Sequence, residues 1–273
     1  MKSTVEIIGL DARDLDRPLC RIYPLWFFEA ALRTNGGNLA LVSPSLWEDP
    51  HEDPCASAAM TILGSGQQAL QGYLQPAFAQ SWSFNGQSDA LLRAYSRVSI
   101  DPVLRRNVEP RFEGVKVRTS PRRLIAALKQ FQEQHAASGM EYFLAKVRYV
   151  DSPSQEIANR LNQIGPKRIG TGLERAVSLS VKRMYFAHEQ EVRIIALAPH
   201  GRKEPVFFVD IRPNEVFEEV SFDPRLIAFE RMERTAQARQ SGYSGPVTLD
   251  GSYQGALFEI VLEEHWDTLD ARP

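Results

Sequence analysis

The sequence predicts an α+β protein with a mixed, mostly antiparallel central sheet and helices packed against it. Three observations indicate this fold class. Short apolar runs typical of strands dominate the middle and end of the chain, with helical patterns between the early ones. Strands and helices do not alternate regularly enough for a Rossmann or TIM-barrel fold. The 273 residues, 43% of them apolar, suffice for a core, and no repeat or low-complexity linker divides them. We therefore predict a single α+β domain over residues 1–273.

Proline, glycine and serine mark the ends of the elements predicted in the first half. Pro24 ends a strand and suits the first turn of the following helix, which Gly36 and Gly37 end. Ser88 is placed to cap a later helix at its positive end. The predicted elements are strand Leu19–Tyr23, helix Leu25–Arg33, strand Asn38–Val42, a proline-rich loop over Ser43–Pro54, strand Phe78–Ser83 and a helix from Ser88 to Tyr95.

In the second half, the strongest strand pattern covers Tyr142–Val150, where alternate apolar residues predict one buried face. Strands Gln190–Leu197 and Val206–Ile211 are separated by a segment rich in proline and glycine, which predicts a hairpin with a longer loop. The other predicted elements are strand Val115–Arg118, helix Arg122–Gln134 after Ser120 and Pro121, and helix Arg225–Arg239.

Composition excludes several classes of protein. The formal net charge of −2 excludes a uniformly basic nucleic-acid binder, and no run of 18 apolar residues predicts a membrane span. The first eleven residues lack the pattern of a secretory signal peptide. The two cysteines, Cys20 and Cys55, are too few for a disulfide framework or a cysteine zinc site. We expect a cytoplasmic protein that does not associate with membranes.

The charge is nevertheless uneven along the chain. Residues 105–123 carry seven basic and two acidic side chains, whereas residues 214–273 carry twelve acidic and five basic ones. One interpretation is that the basic stretch attracts a phosphate-bearing ligand or nucleic acid. The alternative is a solvated face that the acidic segment balances. The candidate phosphate-binding residues are Arg105, Arg106, Arg118, Arg122 and Arg123.

The familiar short motifs of catalysis are missing: no P-loop, complete dinucleotide-binding glycine motif, zinc-protease motif or serine-hydrolase elbow is present. Four clusters of polar residues remain as candidates for chemistry. They are Arg21-Ile22-Tyr23, the acidic loop over residues 47–53, Ser81-Trp82-Ser83 followed by the helix from Ser88, and the segment 182–193.

The pair Glu189 and Glu191 carries the clearest chemical signal. The two residues are two positions apart at the start of a strong strand, so both side chains should point to the same face. Like charges at that distance repel and raise the pKa of one of them. The repulsion between the two carboxylates must be compensated by nearby cations or a metal, or the pair is retained for a function. Arg193 lies on the same face and is one such cation.

In order and spacing, the four clusters resemble a large bacterial family known chiefly as a domain of unknown function. That family has an early strand rich in tyrosine and arginine, a D-P-x-E loop, an aromatic residue followed by serine, an S-D-x-L-W-x-x-Y segment and a late E-x-E-x-R strand. The corresponding segments cover residues 19–220, and Leu92 stands where the family has tryptophan. The matching segments here are Arg21-Ile22-Tyr23, Asp49-Pro50-His51-Glu52, Trp82-Ser83, Ser88 to Tyr95, and Glu189 to Arg193.

More distantly, the chain resembles ADP-ribosyltransferases of the arginine–serine–glutamate class. Their arginine, S-T-S and E-x-E motifs correspond to Arg21, Ser81-Trp82-Ser83 and Glu189-Gln190-Glu191, with Trp82 replacing threonine. The resemblance implies an ADP-ribosyltransferase-like fold in which the strand beginning at Glu191 is an inner one. It also implies NAD as substrate, a macromolecular acceptor and no metal, as in an intracellular bacterial toxin or phage-defence effector.

The resemblance assigns a role to each matching residue. Glu191 stabilises the cation that develops on the ribose, and Glu189 serves as general base for the acceptor. Arg21 pairs with the pyrophosphate, and two tyrosines offer stacking surfaces for nicotinamide. The predicted catalytic residues are Glu191 and Glu189, and the predicted NAD-binding residues are Arg21, Tyr23, Ser81, Ser83 and Tyr95.

Two alternatives stay open at this point. In a metal-dependent nuclease, four carboxylates gather around Mg²⁺ and Lys182 lies nearby. In a non-catalytic sensor or scaffold, acidic residues of the late cluster form a buried ion network with Arg193 and Arg21 that holds the sheet together. The four carboxylates of the nuclease hypothesis are Asp49, Glu52, Glu189 and Glu191.

Overall fold

The computed structural model describes residues 4–33, 36–62 and 66–253. The strands formed by these residues are β1 (Val5–Ile8), β2 (Leu19–Pro24), β3 (Asn38–Val42), β4 (Ala59–Ile62), β5 (Gly66–Ala69), β6 (Ala77–Ser83), β7 (Gly114–Thr119), β8 (Glu141–Lys146), β9 (Arg148–Val150), β10 (Val181–Arg183), β11 (Glu191–Leu197), β12 (Val206–Asp210), β13 (Glu219–Phe222) and β14 (Val247–Thr248). The α-helices are α1 (Leu25–Arg33), α2 (Asp89–Tyr95), α3 (Pro121–Gln134), α4 (Pro153–Ile164), α5 (Pro166–Ile169), α6 (Gly172–Ser178), α7 (Pro213–Val216) and α8 (Ala228–Gln240).

The central sheet is mixed and mostly antiparallel, as the sequence predicts. Its strands follow the order β1-β8-β11-β6-β2-β7-β13-β14, and β3 joins β6 to β12. Strand β6 pairs along its whole length with β11. On its other edge, Ser83 pairs with Cys20 of β2, whereas Ala79 pairs with Val42 of β3. Two strands therefore share this edge of β6. Strand β2 pairs with its last residue, and β3 pairs with a residue nearer its beginning.

Apolar side chains cover both faces of this sheet. The larger core contains alternate residues of the central strands, including Trp82 and Ile194, together with residues of α1 and α3. The smaller one contains the intervening residues, such as Ala79 and Ile195, packed against Leu179 after α6. This alternation follows from the period of two of β-strands. It leaves Ser81, Ser83, Glu191 and Arg193 on the same face as the smaller core.

Helix α1 and strand β3 begin and end at the predicted residues, and the strand and helix predicted around Ser83 and Ser88 are confirmed. Ser88 caps α2 by accepting a hydrogen bond from the backbone N–H of Leu91 at 3.2 Å. The strand predicted over Tyr142–Val150 is instead two strands, because the chain leaves the central sheet after Lys146 and β9 pairs with β10 in a separate ribbon.

The predicted hairpin between β11 and β12 is wrong. Both edges of β11 are already occupied, by β6 and by β8, so no edge is left for β12. Strand β12 pairs with β3 instead, in antiparallel register from Val206 opposite Val42 to Asp210 opposite Asn38. The proline-rich connection thus carries the chain across the sheet rather than around a hairpin turn.

Several elements were not predicted from the sequence, among them helix α4 and the β4–β5 hairpin. These two enclose a third apolar cluster that includes Cys55, Leu70 and Ile157. No helix in the described part of the chain is both long enough and apolar enough to cross a membrane.

Candidate functional site

A cleft of about 510 Å³, its open mouth included, lies where β6, β2 and β11 run side by side. The cleft brings together most of the predicted site residues from four separate segments of the chain. Those residues are Arg21, Ser81, Ser83, Tyr95, Glu189 and Glu191.

The neighbouring strands fix the two serines in the cleft. In the register of β6 and β11, Ser83 lies opposite Glu191, and Ser81 lies opposite Arg193. The hydroxyl of Ser83 donates to the backbone carbonyl of Glu189 and accepts from the N–H of Asn85 at 2.9 Å. Ser83 therefore holds the Glu189 turn against the end of β6, and Ser81 faces the carboxylate of Glu191.

Glu189 and Glu191 both line the cleft, but not for the predicted reason. Glu189 ends a 3-10 turn over Met184–Glu189, and the strand begins only at Glu191. Gln190 between them adopts a left-handed conformation with φ of 46°. The left-handed turn at Gln190 lets the side chains of Glu189 and Glu191 line the same cleft, although only Glu191 belongs to the strand.

Both carboxylates belong to a buried ion cluster, defined here as Glu52, Lys182, Glu189, Glu191 and Arg193. The ammonium nitrogen of Lys182 lies 2.6 Å from Glu189, 3.3 Å from Glu52 and 3.5 Å from Glu191. Arg193 contacts Glu191 at 2.7 Å and also pairs with Glu52. Arg193 and Glu191 are 1% and 6% exposed, so water does little to screen these charges.

The charges of this cluster separate the pKa values of its two central carboxylates. Burial raises the pKa of Glu191, but the charges of Arg193 and Lys182 outweigh that effect and hold it below its usual value. Burial, together with repulsion from Glu191, raises the pKa of Glu189 above its usual value, although Lys182 donates a hydrogen bond to it. The pair thus offers one carboxylate held ionised and one that accepts protons more readily.

Arg21 lies on β2 at the opposite wall of the cleft. One of its terminal nitrogens donates to the backbone carbonyl of Ser81, and its Nε is buried without a hydrogen-bond partner among the described residues. Its guanidinium lies 5.0 Å from the ring centroid of Tyr23. Among the described residues, the guanidinium of Arg21 therefore contacts a backbone carbonyl and an aromatic ring and forms no ion pair with a carboxylate.

The two predicted stacking residues occupy different environments. Tyr95 is 50% exposed and lines the cleft beside Leu91. Tyr23 is 6% exposed and lies outside the cleft, where its ring meets Trp82 edge to face at 6.2 Å. Tyr23 therefore packs against the guanidinium of Arg21, and its buried ring is not exposed to a ligand in the cleft. Trp82 points into the larger core, as the alternation of β6 predicts.

The acidic loop contributes one residue to the site rather than two. Glu52 joins the ion cluster, whereas Asp49 pairs with Arg183 at 2.9 Å. Within the described residues, no group of three or more His, Cys, Asp or Glu side chains is arranged to hold a metal ion. In the ion cluster, the carboxylates are instead paired with the side chains of Lys182 and Arg193.

In the described part of the chain, most of the candidate arginines of the basic stretch form ion pairs within the protein. Four of its five candidate arginines are paired with carboxylates, two of them from helix α3. The described contacts match the alternative of a balanced, solvated face, although residues 254–273 of the acidic segment lie outside the described residues. These pairs are Arg106 with Glu230 and Glu233, Arg118 with Glu218 and Glu219, Arg122 with Asp16, and Arg123 with Glu218.

Sequence reasoning missed two residues that shape the cleft. Lys116 reaches it from β7, beside Arg21's strand, because Lys116 lies opposite Ile22 in the register of β2 and β7. Gly86 also lines the cleft, and a Cβ at this position would lie 2.6 Å from the sulfur of Cys20. A larger residue at this position would therefore have to move the side chain of Cys20. The one signal in the sequence was the alternation of β7, which places Lys116 and Arg118 on the same face.

Comparisons of the chain with known protein families, with characterised proteins and with solved structures found no match.

Proposed function

We propose that the protein cleaves the bond between nicotinamide and ribose in NAD and transfers ADP-ribose to a macromolecular acceptor. One observation carries the proposal: three adjacent strands bring Arg21, Ser81 and Glu191 to the lining of a single cleft. The interior position of β11, between β6 and β8, agrees with what the resemblance to ADP-ribosyltransferases implies.

The charges in the cleft suit the electrostatics of this reaction. When the C–N bond breaks, its electron pair leaves with nicotinamide and positive charge develops on the ribose. With all groups ionised, three carboxylates and two cations give the ion cluster a net charge of −1. Glu191 is held ionised at the wall of the cleft, where a fixed negative charge stabilises the developing cation.

Glu189 suits the second half of the reaction. The nucleophilic atom of the acceptor forms a bond to the ribose carbon that nicotinamide has left, and its proton passes to the carboxylate of Glu189. A general base works best when its pKa is moved toward the working pH. The raised pKa of Glu189 is a shift in that direction. Arg21, across the cleft, offers a planar set of donors to the pyrophosphate.

The proposal is tested with two preparations of NAD, one labelled in nicotinamide and one in adenine, incubated with the protein and cell extract. We expect the nicotinamide label to be released and the adenine label to appear in acid-insoluble material. Release of nicotinamide without transfer of the adenine label would contradict the transfer step and show that the protein only hydrolyses NAD. No release from either preparation would contradict it.

Removing Lys182 should change the pH dependence of the reaction. The base Glu189 acts when deprotonated, so kcat/KM falls as the pH drops through its pKa. Lys182 lowers that pKa by its hydrogen bond to Glu189. In Lys182→Met we expect the acidic limb of the kcat/KM profile to move to higher pH. The profile of Lys203→Met, in which an exposed lysine is changed, should match that of the unmodified protein. An unchanged limb in Lys182→Met would remove Glu189 from the role of base.

A second candidate function is architectural, and the burial of the ion cluster favours it. Arg193 donates to Glu191 and to the carbonyl of Leu179, and its guanidinium lies 4.7 Å from the ring centroid of Trp47. These contacts join β11, α6 and the acidic loop. If this were the only role of the cluster, substitution of Glu191 would lower stability and change no activity.

A further inference from the structure

The cleft continues past Lys116 into a neighbouring shallow depression. Both are lined by Ile22, Gly86, Ser88 and Lys116, so they are two parts of one groove. The side chain of Lys116 stands where the two parts meet. It reaches 3.2 Å from the carbonyl oxygen of Gly86 and is 22% exposed.

A carboxylate from the end of the described chain lies against this lysine. Residues 249–253, here called the strap, follow β14 and line the outer part of the groove through Asp250 and Tyr253. Asp250 forms an ion pair with Lys116, and its side chain is 12% exposed. At its far end the strap is attached to α2, where Tyr253 donates to Asp89 at 2.5 Å and accepts from Arg93 at 2.8 Å.

We propose that Lys116 is a phosphate-binding residue and that Asp250 occupies its phosphate subsite as an internal competitor. Lys116 lies opposite Ile22 in the register of β2 and β7, so its side chain is on the same face as Ile22 and Cys20. Lys116 and Arg21 both belong to the lining of the inner part of the groove. A carboxylate and a phosphate oxygen make the same charge-assisted hydrogen bond to an ammonium group. An anionic ligand therefore displaces Asp250 and takes over its contact.

This inference rests on the proposed function for the identity of the whole ligand, the pyrophosphate of NAD. The subsite itself is tested without NAD. Inorganic pyrophosphate is the probe, and alkylation of Cys20, followed by peptide mass spectrometry, is the readout. Cys20 lines the groove beside Gly86 and is partly exposed, whereas Cys55 is buried and serves as the internal control.

Pyrophosphate should slow the alkylation of Cys20, and Asp250→Asn should strengthen this protection. If Asp250 occupies the subsite in about 80% of molecules, its removal lowers the half-protecting pyrophosphate concentration about fivefold. Asp210→Asn makes the same change in charge at an exposed position of β12 and should have no effect. Lys116→Met should lose the protection, and Lys116→Arg, which keeps the charge, should retain it.

Equal protection in Asp250→Asn, Asp210→Asn and the unmodified protein would overturn the competitor role of Asp250. Protection that survives in a folded Lys116→Met protein would overturn the subsite. If Lys116→Met does not fold, an unaltered response in Asp250→Asn alone still contradicts the proposal. Protection by pyrophosphate together with no cleavage of NAD would keep the subsite and reject the proposed reaction, so the two failures are distinguishable.

Discussion

Glu191→Gln is expected to slow the release of nicotinamide from NAD by at least about a hundredfold while the protein stays folded. Loss of one fixed group that stabilises transition-state charge typically costs about 10²- to 10³-fold in rate. The substitution leaves two carboxylates beside Lys182 and Arg193, so the buried cluster becomes neutral. Glutamine keeps the shape of the side chain, which preserves the packing of β11.

The measurement is initial-rate release of labelled nicotinamide, with thermal unfolding monitored on the same samples. Glu48→Gln is the matched control, because Glu48 is exposed on the acidic loop outside the ion cluster. Its rate should equal that of the unmodified protein. A full rate in Glu191→Gln would contradict the catalytic role, and a large loss of stability with no enzymatic rate in any sample would favour the architectural function.

Arg193→Met is expected to have the largest effect on stability, lowering the free energy of unfolding by about 3–5 kcal/mol. Without the guanidinium, Glu52 and Glu191 keep only Lys182 as a cation, and three carboxylates face one positive charge in a buried site. The loss also leaves the carbonyl of Leu179 without the donor that Arg193 supplies at 2.8 Å. Breaking a buried pair from one side costs far more than removing both partners.

Urea unfolding at neutral pH measures this effect. Arg13→Met is the control, because the Arg13 side chain is 92% exposed and its ion pair with Asp11 lies in water. We expect that substitution to leave the unfolding midpoint nearly unchanged. If Arg193→Met unfolds at the same urea concentration as the control, the ion cluster does not hold the sheet together, and its burial has another cause.

Local chemistry made part of this fold predictable. Pro24 and the glycines after residue 35 define the ends of α1, and the hydroxyl of Ser88 caps α2 as its position predicts. Period two placed both serines of β6 on one face and Trp82 on the other. These are short-range effects, in which a residue acts on its immediate neighbours in the chain.

Strand partners were not predictable in the same way, because pairing depends on which edges remain unoccupied. The β11–β12 hairpin failed for this reason, since β6 and β8 cover both edges of β11. Contacts between distant segments were not predictable either, although the nuclease hypothesis did name Glu52 beside Glu189 and Glu191. Glu52 enters the ion cluster from a loop 141 positions away from Arg193, and no periodicity in the sequence encodes that contact.

The central claim, that NAD binds between the walls carrying Arg21 and Glu191, is tested most directly by hydrogen–deuterium exchange of Glu191→Gln with and without NAD. This variant is expected to hold NAD uncleaved. We predict slower exchange in residues 19–24, 81–88 and 184–191, with no change in helix α4, which lies outside the cleft. Unchanged exchange in all three cleft segments at saturating NAD, or protection confined to α4, would contradict the account.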